Sequence, residues 1–160
     1  MDEQFMEAAL ELARQAFAEG EVPVGCVIVR EGQIVGKGRN RRETEKSALA
    51  HAEIEAIADA CRTLGGWRLW ECTLYVTLEP CPMCAGAIVN ARIPRVVYGA
   101  SDSKCGACGS VCDIFSMEFN HHPQVTVGVL EQACSELLQS FFKQLRKELQ
   151  NRPKWRRKPE

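Results

Sequence analysis

Four residues in the middle of the chain have the types and spacings that metal-assisted hydrolysis needs: His51, Glu53, Cys81 and Cys84. Cys81 and Cys84 stand C-x2-C at the head of an expected helix, three apart and therefore on one face. Pro80 and Pro82 flank Cys81, and proline is at home in a first helical turn and nowhere deeper. The positive end of the helix dipole there favours the thiolate, the form a metal takes. His51, also placed where a helix begins, is the third ligand. Two Cys and one His suit zinc, one ion per chain, with the fourth tetrahedral position left to water. Glu53 follows His51 by two residues, which in a regular helix puts the side chains about 200° apart. In the first turn of a helix aimed at the metal, both still reach one small volume. Glu53 is then a general acid/base and not a ligand. The metal would supply the nucleophile by lowering the pKa of water to about 7.

Each piece alone has a duller reading. H-x-E occurs by chance on surface helices, and a single C-x-x-C in a reducing compartment can be a redox pair. The combination is stronger: H-A-E, a strand, then P-C-P-M-C opening a helix, with Cys81 28 residues after Glu53.

The elements that must hold these residues are legible from period and turn chemistry. Phe5, Ala9, Leu12, Ala13 and Ala16 predict an amphipathic helix over residues 3–18. Residues 25–30 and 33–37 read as strands joined by a Glu31-Gly32 turn. After a polar loop over 39–46, a second helix places Ile54, Ile57, Ala58 and Cys61 on one face and stops at Gly65-Gly66. Residues 72–78, a helix to about Ala91 and residues 95–99 form a βαβ unit, with parallel strands and a right-handed crossover. Residues 124–128 suit an edge strand. A final helix over 131–150 carries Cys134, Leu137, Leu138, Phe141, Phe142, Leu145 and Leu149. The expected fold is α/β, a three-layer α/β/α sandwich around a mixed sheet of about five strands.

With 160 residues, 46% hydrophobic and 26% charged, the chain suits one globular domain, expected over 1–150 with a basic tail over 151–160. No apolar run approaches the length of a membrane span, so no membrane partner is expected. The acidic start, Met1-Asp-Glu-Gln-Phe-Met-Glu, is unlike a targeting peptide, and nine cysteines, an odd number, favour reduced thiols or metal ligands over disulfides. A cytoplasmic location is expected. Residues 143–160 hold eight Lys/Arg against two acids, so a net +6 end follows a body of −7. That asymmetry fits an arm for a polyanion, and equally a solvated terminus.

The H-x-E…P-C-x-x-C pattern is the signature of zinc nucleobase deaminases. More narrowly, the chain resembles the bacterial tRNA-specific adenosine deaminases. The likeness runs through residues 21–25, 38–41, 50–54, 73–87 and 95–100 and the Phe141-Phe142 pair. It implies a cytidine-deaminase-like fold, zinc on His51, Cys81 and Cys84, and Glu53 as the proton shuttle. The implied reaction is hydrolytic conversion of the wobble adenosine of an anticodon to inosine, by attack of zinc-activated water at C6. Asn40 and the backbone N–H of Ala52 would read the flipped adenine. Phe142 and Arg146 would lie along the RNA side, although core packing and a solvated face account for them equally. The resemblance also implies a homodimer and an anticodon stem-loop as partner. Two rivals remain: a zinc deaminase of a free base or nucleotide (guanine, cytidine or dCMP), and a non-catalytic four-cysteine zinc ribbon that binds nucleic acid. The ribbon rests on the spacing Cys81-x2-Cys84-x20-Cys105-x2-Cys108, whose second pair lies in a glycine-rich loop that also holds Cys112.

Overall fold

Glu31 and Gly32 both adopt positive φ, 51° and 74°, the two-residue turn that matches the twist of a hairpin. It reverses β1 (Gly25–Arg30) into β2 (Gln33–Arg39). The structure, a computed structural model, describes residues 1–151. The expected basic tail therefore lies outside the described residues, apart from Asn151. The other elements are α1 (Asp2–Ala18), α2 (Ala52–Leu64), β3 (Cys72–Leu78), α3 (Pro82–Asn90), β4 (Arg95–Ala100), a short 3-10 turn (Ile114–Ser116), β5 (Gln124–Val127) and α4 (Glu131–Gln150).

The five strands form one mixed sheet in the order β2-β1-β3-β4-β5. β1 is antiparallel to β2 and β3, whereas β3, β4 and β5 run parallel. The two-residue period divides each central strand between two cores. Cys26, Ile28, Leu74, Val76, Val96 and Tyr98 face a core shared with α2 and α3. Val27, Val29, Tyr75 and Val97 face the other, shared with α1 and α4. Strands covered on both faces read as continuous apolar runs, as β1, β3 and β4 do. The expected α/β/α sandwich is the observed fold.

The face that α2 buries differs from the expected one. Its deeply buried residues are Ala52, Glu53, Ala56 and Ala60, while Ile54, Ile57 and Cys61 are half-buried and Ala58 is exposed. The cause lies on β2. A Cβ on Gly36 would strike the Ala56 carbonyl oxygen, and one on Gly38 the Ala52 carbonyl oxygen. Two glycines thus let the helix backbone press onto the strand, and only alanines fit between. Gly38→Ala should therefore lift the first turn of α2, because the obstructing atom is backbone and cannot rotate away. The expected loss is ~1–3 kcal/mol, as for other overpacked cores, read as a lower melting temperature. Zinc content is expected to fall with it, since His51, the expected ligand, caps that turn.

α4 buries Cys134 against β4, where a Cβ on Gly99 would meet the Cys134 sulfur. Beyond Leu138 its apolar stripe leaves the core: Phe141 packs edge-on against Phe17 at 5.6 Å and Phe142 at 5.4 Å, and Phe142 is exposed. At the other margin Asp2 accepts two hydrogen bonds from Arg95, at 2.9 and 2.7 Å, and one from Tyr75 at 2.8 Å, pinning α1 to β3 and β4. The Arg95 guanidinium holds the Asp2 carboxyl at about 2. A depressed folded-state pKa stabilises the protein above the unfolded value near 4 and ceases to do so as pH falls through about 2. Asp2→Asn should lower the melting temperature at pH 6, and the gap to wild type should close between pH 4 and 2.

Candidate metal centre

β3 ends at Leu78, and the chain turns through Glu79 and Pro80 into α3. Cys81 is the N-cap of that helix, with extended backbone (φ −75°, ψ 174°), and Pro82 is the first helical residue. Cys84 follows in the first turn. His51 caps α2 in the same way (φ −85°, ψ 152°), so Glu53 is the second residue of its helix. Because His51 lies outside the helical spiral, the 200° separation of a regular helix does not apply to the pair. Two helix N-termini thereby meet beyond the carboxyl end of β3.

His51 Nδ1 stands 3.6 Å from Cys81 Sγ and 3.5 Å from Cys84 Sγ. A tetrahedral ion with Zn–S near 2.3 Å and Zn–N near 2.0–2.1 Å requires nitrogen and sulfur ligands about 3.6 Å apart. The donors thus sit at the separation zinc would impose, and three ligands leave one position open. Among the described residues these three form the only such metal-ligating group. Cys108 is instead packed into the core and Cys105 is exposed at the mouth of the cleft, so the fold does not build the four-cysteine ribbon.

The electrostatics suit the donor set. The Cys81 thiol is drawn down to about 4, first by the hydrogen bond from Cys84 and then by that from His51. The Cys84 thiol, donating to Cys81, is pushed upward. His51 is raised, chiefly by its hydrogen bond to Cys81. Glu53 is 4% exposed, and burial lifts its carboxyl to about 7.

His51, Glu53 and Cys81 line a cleft of about 190 Å³ together with Val22, Val24, Asn40, Ala52 and Asp102, and Cys84 is buried behind them. Asn40 does both things its position allowed. Its Oδ1 accepts the Arg42 N–H at 3.2 Å and its Nδ2 donates to the Val22 carbonyl at 3.3 Å, a turn role, and it also faces the cleft. Ala52 is the first residue of α2, where a backbone N–H has no acceptor within the helix. Phe142 and Arg146 are exposed on α4 and do not line this cleft.

Two buried acids beside the cleft escaped the reading of the sequence. Glu21, 1% exposed, accepts the N–H groups of Glu43 at 3.0 Å and Thr44 at 2.7 Å, folding the loop after β2. Glu79, 2% exposed, does the same for the loop after β4. The available signal was an acid set among apolar residues and prolines, in Glu21-Val-Pro-Val and Leu78-Glu79-Pro80.

Residues 1–146 match the family model of MafB19-like deaminases. A tRNA-specific adenosine deaminase of Bacillus subtilis is 50% identical over 147 residues, covering 91% of each chain. The chain belongs to the tRNA-specific adenosine deaminase family. The Haemophilus influenzae enzyme of that name is 48% identical over 149 residues, 92% of this chain and 86% of its own. A solved structure from work on A-to-I editing by tRNA:A34 deaminases superposes with a TM-score of 0.81 at 47% identity, covering 84% of this chain and 99% of the other. The guanine deaminase of Bacillus subtilis shares the fold at a TM-score of 0.61 and 34% identity, over 91% of this chain and 93% of its own.

Proposed function

We propose that this deaminase converts the wobble adenosine of a tRNA anticodon loop to inosine, with one zinc ion held by His51, Cys81 and Cys84. The observation that carries the reading is the juxtaposition of a Cys2His donor set at tetrahedral spacing with the buried Glu53 carboxyl, on one cleft, in a member of this family. Bound zinc would lower the pKa of water to about 7 and so provide a nucleophile at neutral pH. In the net reaction the water oxygen becomes bonded to C6 and ammonia leaves from it. Glu53 carries a proton to ring N1 and another to the departing amino group. A carboxyl that titrates near the working pH serves both transfers.

Asn40 keeps one N–H and one lone pair beyond its loop partners, and with the Ala52 N–H it can read the purine edge. Anticodon bases are already unpaired, which lowers the cost of drawing one into a cleft. Arg146 and Phe142, on the exposed part of α4, are assigned to the RNA stem together with the basic segment that follows. A groove of about 710 Å³ beside α3, bordered by Leu49, Ile54, Met83, Met117 and Phe119, leaves apolar side chains in water. We assign it to a second copy of the chain, giving a homodimer. All nine cysteines are unpaired, as thiols in a reducing cytoplasm would be. No helix among the described residues is long and apolar enough to cross a membrane.

Incubation with an anticodon stem-loop whose anticodon begins with A should yield inosine on nucleoside analysis. Binding should weaken with salt, each phosphate contact adding roughly 0.7–0.9 to the log–log slope. Deleting residues 152–160, with their five Lys/Arg, should make that slope shallower while preserving turnover at saturation. Salt-insensitive deamination of free guanine, unchanged by the deletion and without inosine formation, would favour the small-molecule reading that the guanine deaminase likeness supports.

A further inference from the structure

The carboxylate of Glu79 joins two parts of the molecule distant in sequence. Its Oε1 accepts the Asp102 N–H at 3.1 Å and the Ser110 hydroxyl, and its Oε2 accepts the N–H groups of Cys108 at 3.0 Å and Ser110 at 3.1 Å. Around it the backbone is sewn down as well, Glu79 N–H to the Ala100 carbonyl at 2.8 Å and Ala107 N–H to the Pro80 carbonyl at 2.9 Å. Gly106 is required there because a Cβ would collide with the carboxylate. The loop so gathered presents Asp102 and Cys105 to the cleft, while Glu79 itself stands two residues before the ligand Cys81.

We infer that Glu79 is a positioning residue of the deaminase reaction: it sets the Asp102–Ser110 wall of the cleft at a defined distance from the metal ligands, and so places the substrate. The inference rests on the proposed deaminase function for its substrate, and on geometry for the residue. Four donors converge on one buried anion, and none of them comes from a substrate. A neutral amide of the same shape can serve only part of that set. In Glu79→Gln the amide oxygen can occupy the Oε2 position and keep the Cys108 and Ser110 N–H bonds. The NH2 can donate to the Ser110 hydroxyl, which turns to accept it. The Asp102 N–H is then left facing another donor. The substitution should therefore loosen the cleft wall at Asp102 and leave the metal ligands in place.

The test compares Glu79→Gln with wild type in zinc content, melting temperature and steady-state kinetics on the A-starting stem-loop. Expected are full zinc and a ~10–100-fold fall in kcat/KM, the cost of misplacing a bound group by about an ångström. KM should rise as kcat falls. Ser110→Ala, which removes one of four bonds, should cost much less. Unchanged kinetics in Glu79→Gln would overturn the inference, and so would loss of zinc in parallel with activity, which would make Glu79 a support of the ligand turn. Should the variant not fold, hydrogen exchange on the wild-type protein decides. The amides of Asp102, Cys108 and Ser110 should exchange far more slowly than that of Ser103, and equal rates would reject the anchoring. Inactivity of wild type on the stem-loop would count against the proposed substrate alone; Glu79→Gln would then be compared on free guanine.

Discussion

Glu53→Gln should bind zinc as wild type does, melt at nearly the same temperature, and lose turnover by at least ~10²–10⁴, the range for removal of a general acid/base. The side chain lies at the second position of α2, buried, and is not one of the three metal-ligating groups. An amide of equal volume therefore leaves packing and ligation alone. It cannot take up and release the proton that a carboxyl held near 7 by burial can. Parallel measurements of zinc by mass spectrometry and of inosine by nucleoside analysis check the two halves separately. Near-normal turnover in the zinc-loaded variant would remove Glu53 from the chemistry.

Cys84→Ser should behave in the opposite sense, losing the metal first and activity as a consequence. Cys84 is buried at the base of the site, 3.5 Å from His51 Nδ1, and serine offers a shorter, harder donor that suits zinc poorly. The fall in zinc affinity should exceed the ~10–100-fold typical of losing a group that only supports a ligand. His51→Ala should share this phenotype, whereas Cys105→Ser, exposed at the rim, should keep full zinc. X-ray absorption on the wild-type protein should find two sulfurs and one nitrogen at the metal. A four-sulfur environment would reinstate the ribbon.

Periodic burial made the layers of this fold readable in advance. Strands sandwiched between two helical layers must alternate Cys26 and Ile28 against Val27 and Val29, and that alternation is local to a few residues. The capping chemistry of Pro80-Cys81-Pro82 is equally local, which is why the start of α3, and with it the pair Cys81 and Cys84, was legible in the sequence. Glu53 can share a site with His51 although helical geometry sets such residues about 200° apart, because the histidine stands at the helix start, where the sequence already places it, and caps α2.

Other features depend on residues far apart in the chain. Local pattern assigned α2 an isoleucine face, yet its alanines are the deeply buried residues, because Gly36 and Gly38 on another element set how near the helix comes. The stripe on α4 predicts burial along its whole length, but the sheet beneath it ends and Phe142 is left in water. Glu21 and Glu79 stand among apolar residues and prolines, but nothing nearby in sequence shows which amides will bond to them. Glu79 meets the N–H groups of Asp102, Cys108 and Ser110 only after α3 has carried the chain from β3 across to β4. Side-chain periodicity reports the face an element buries. Hydrogen bonds across such a crossover are decided by packing, and the cleft wall that faces His51 and Cys81 is held by them.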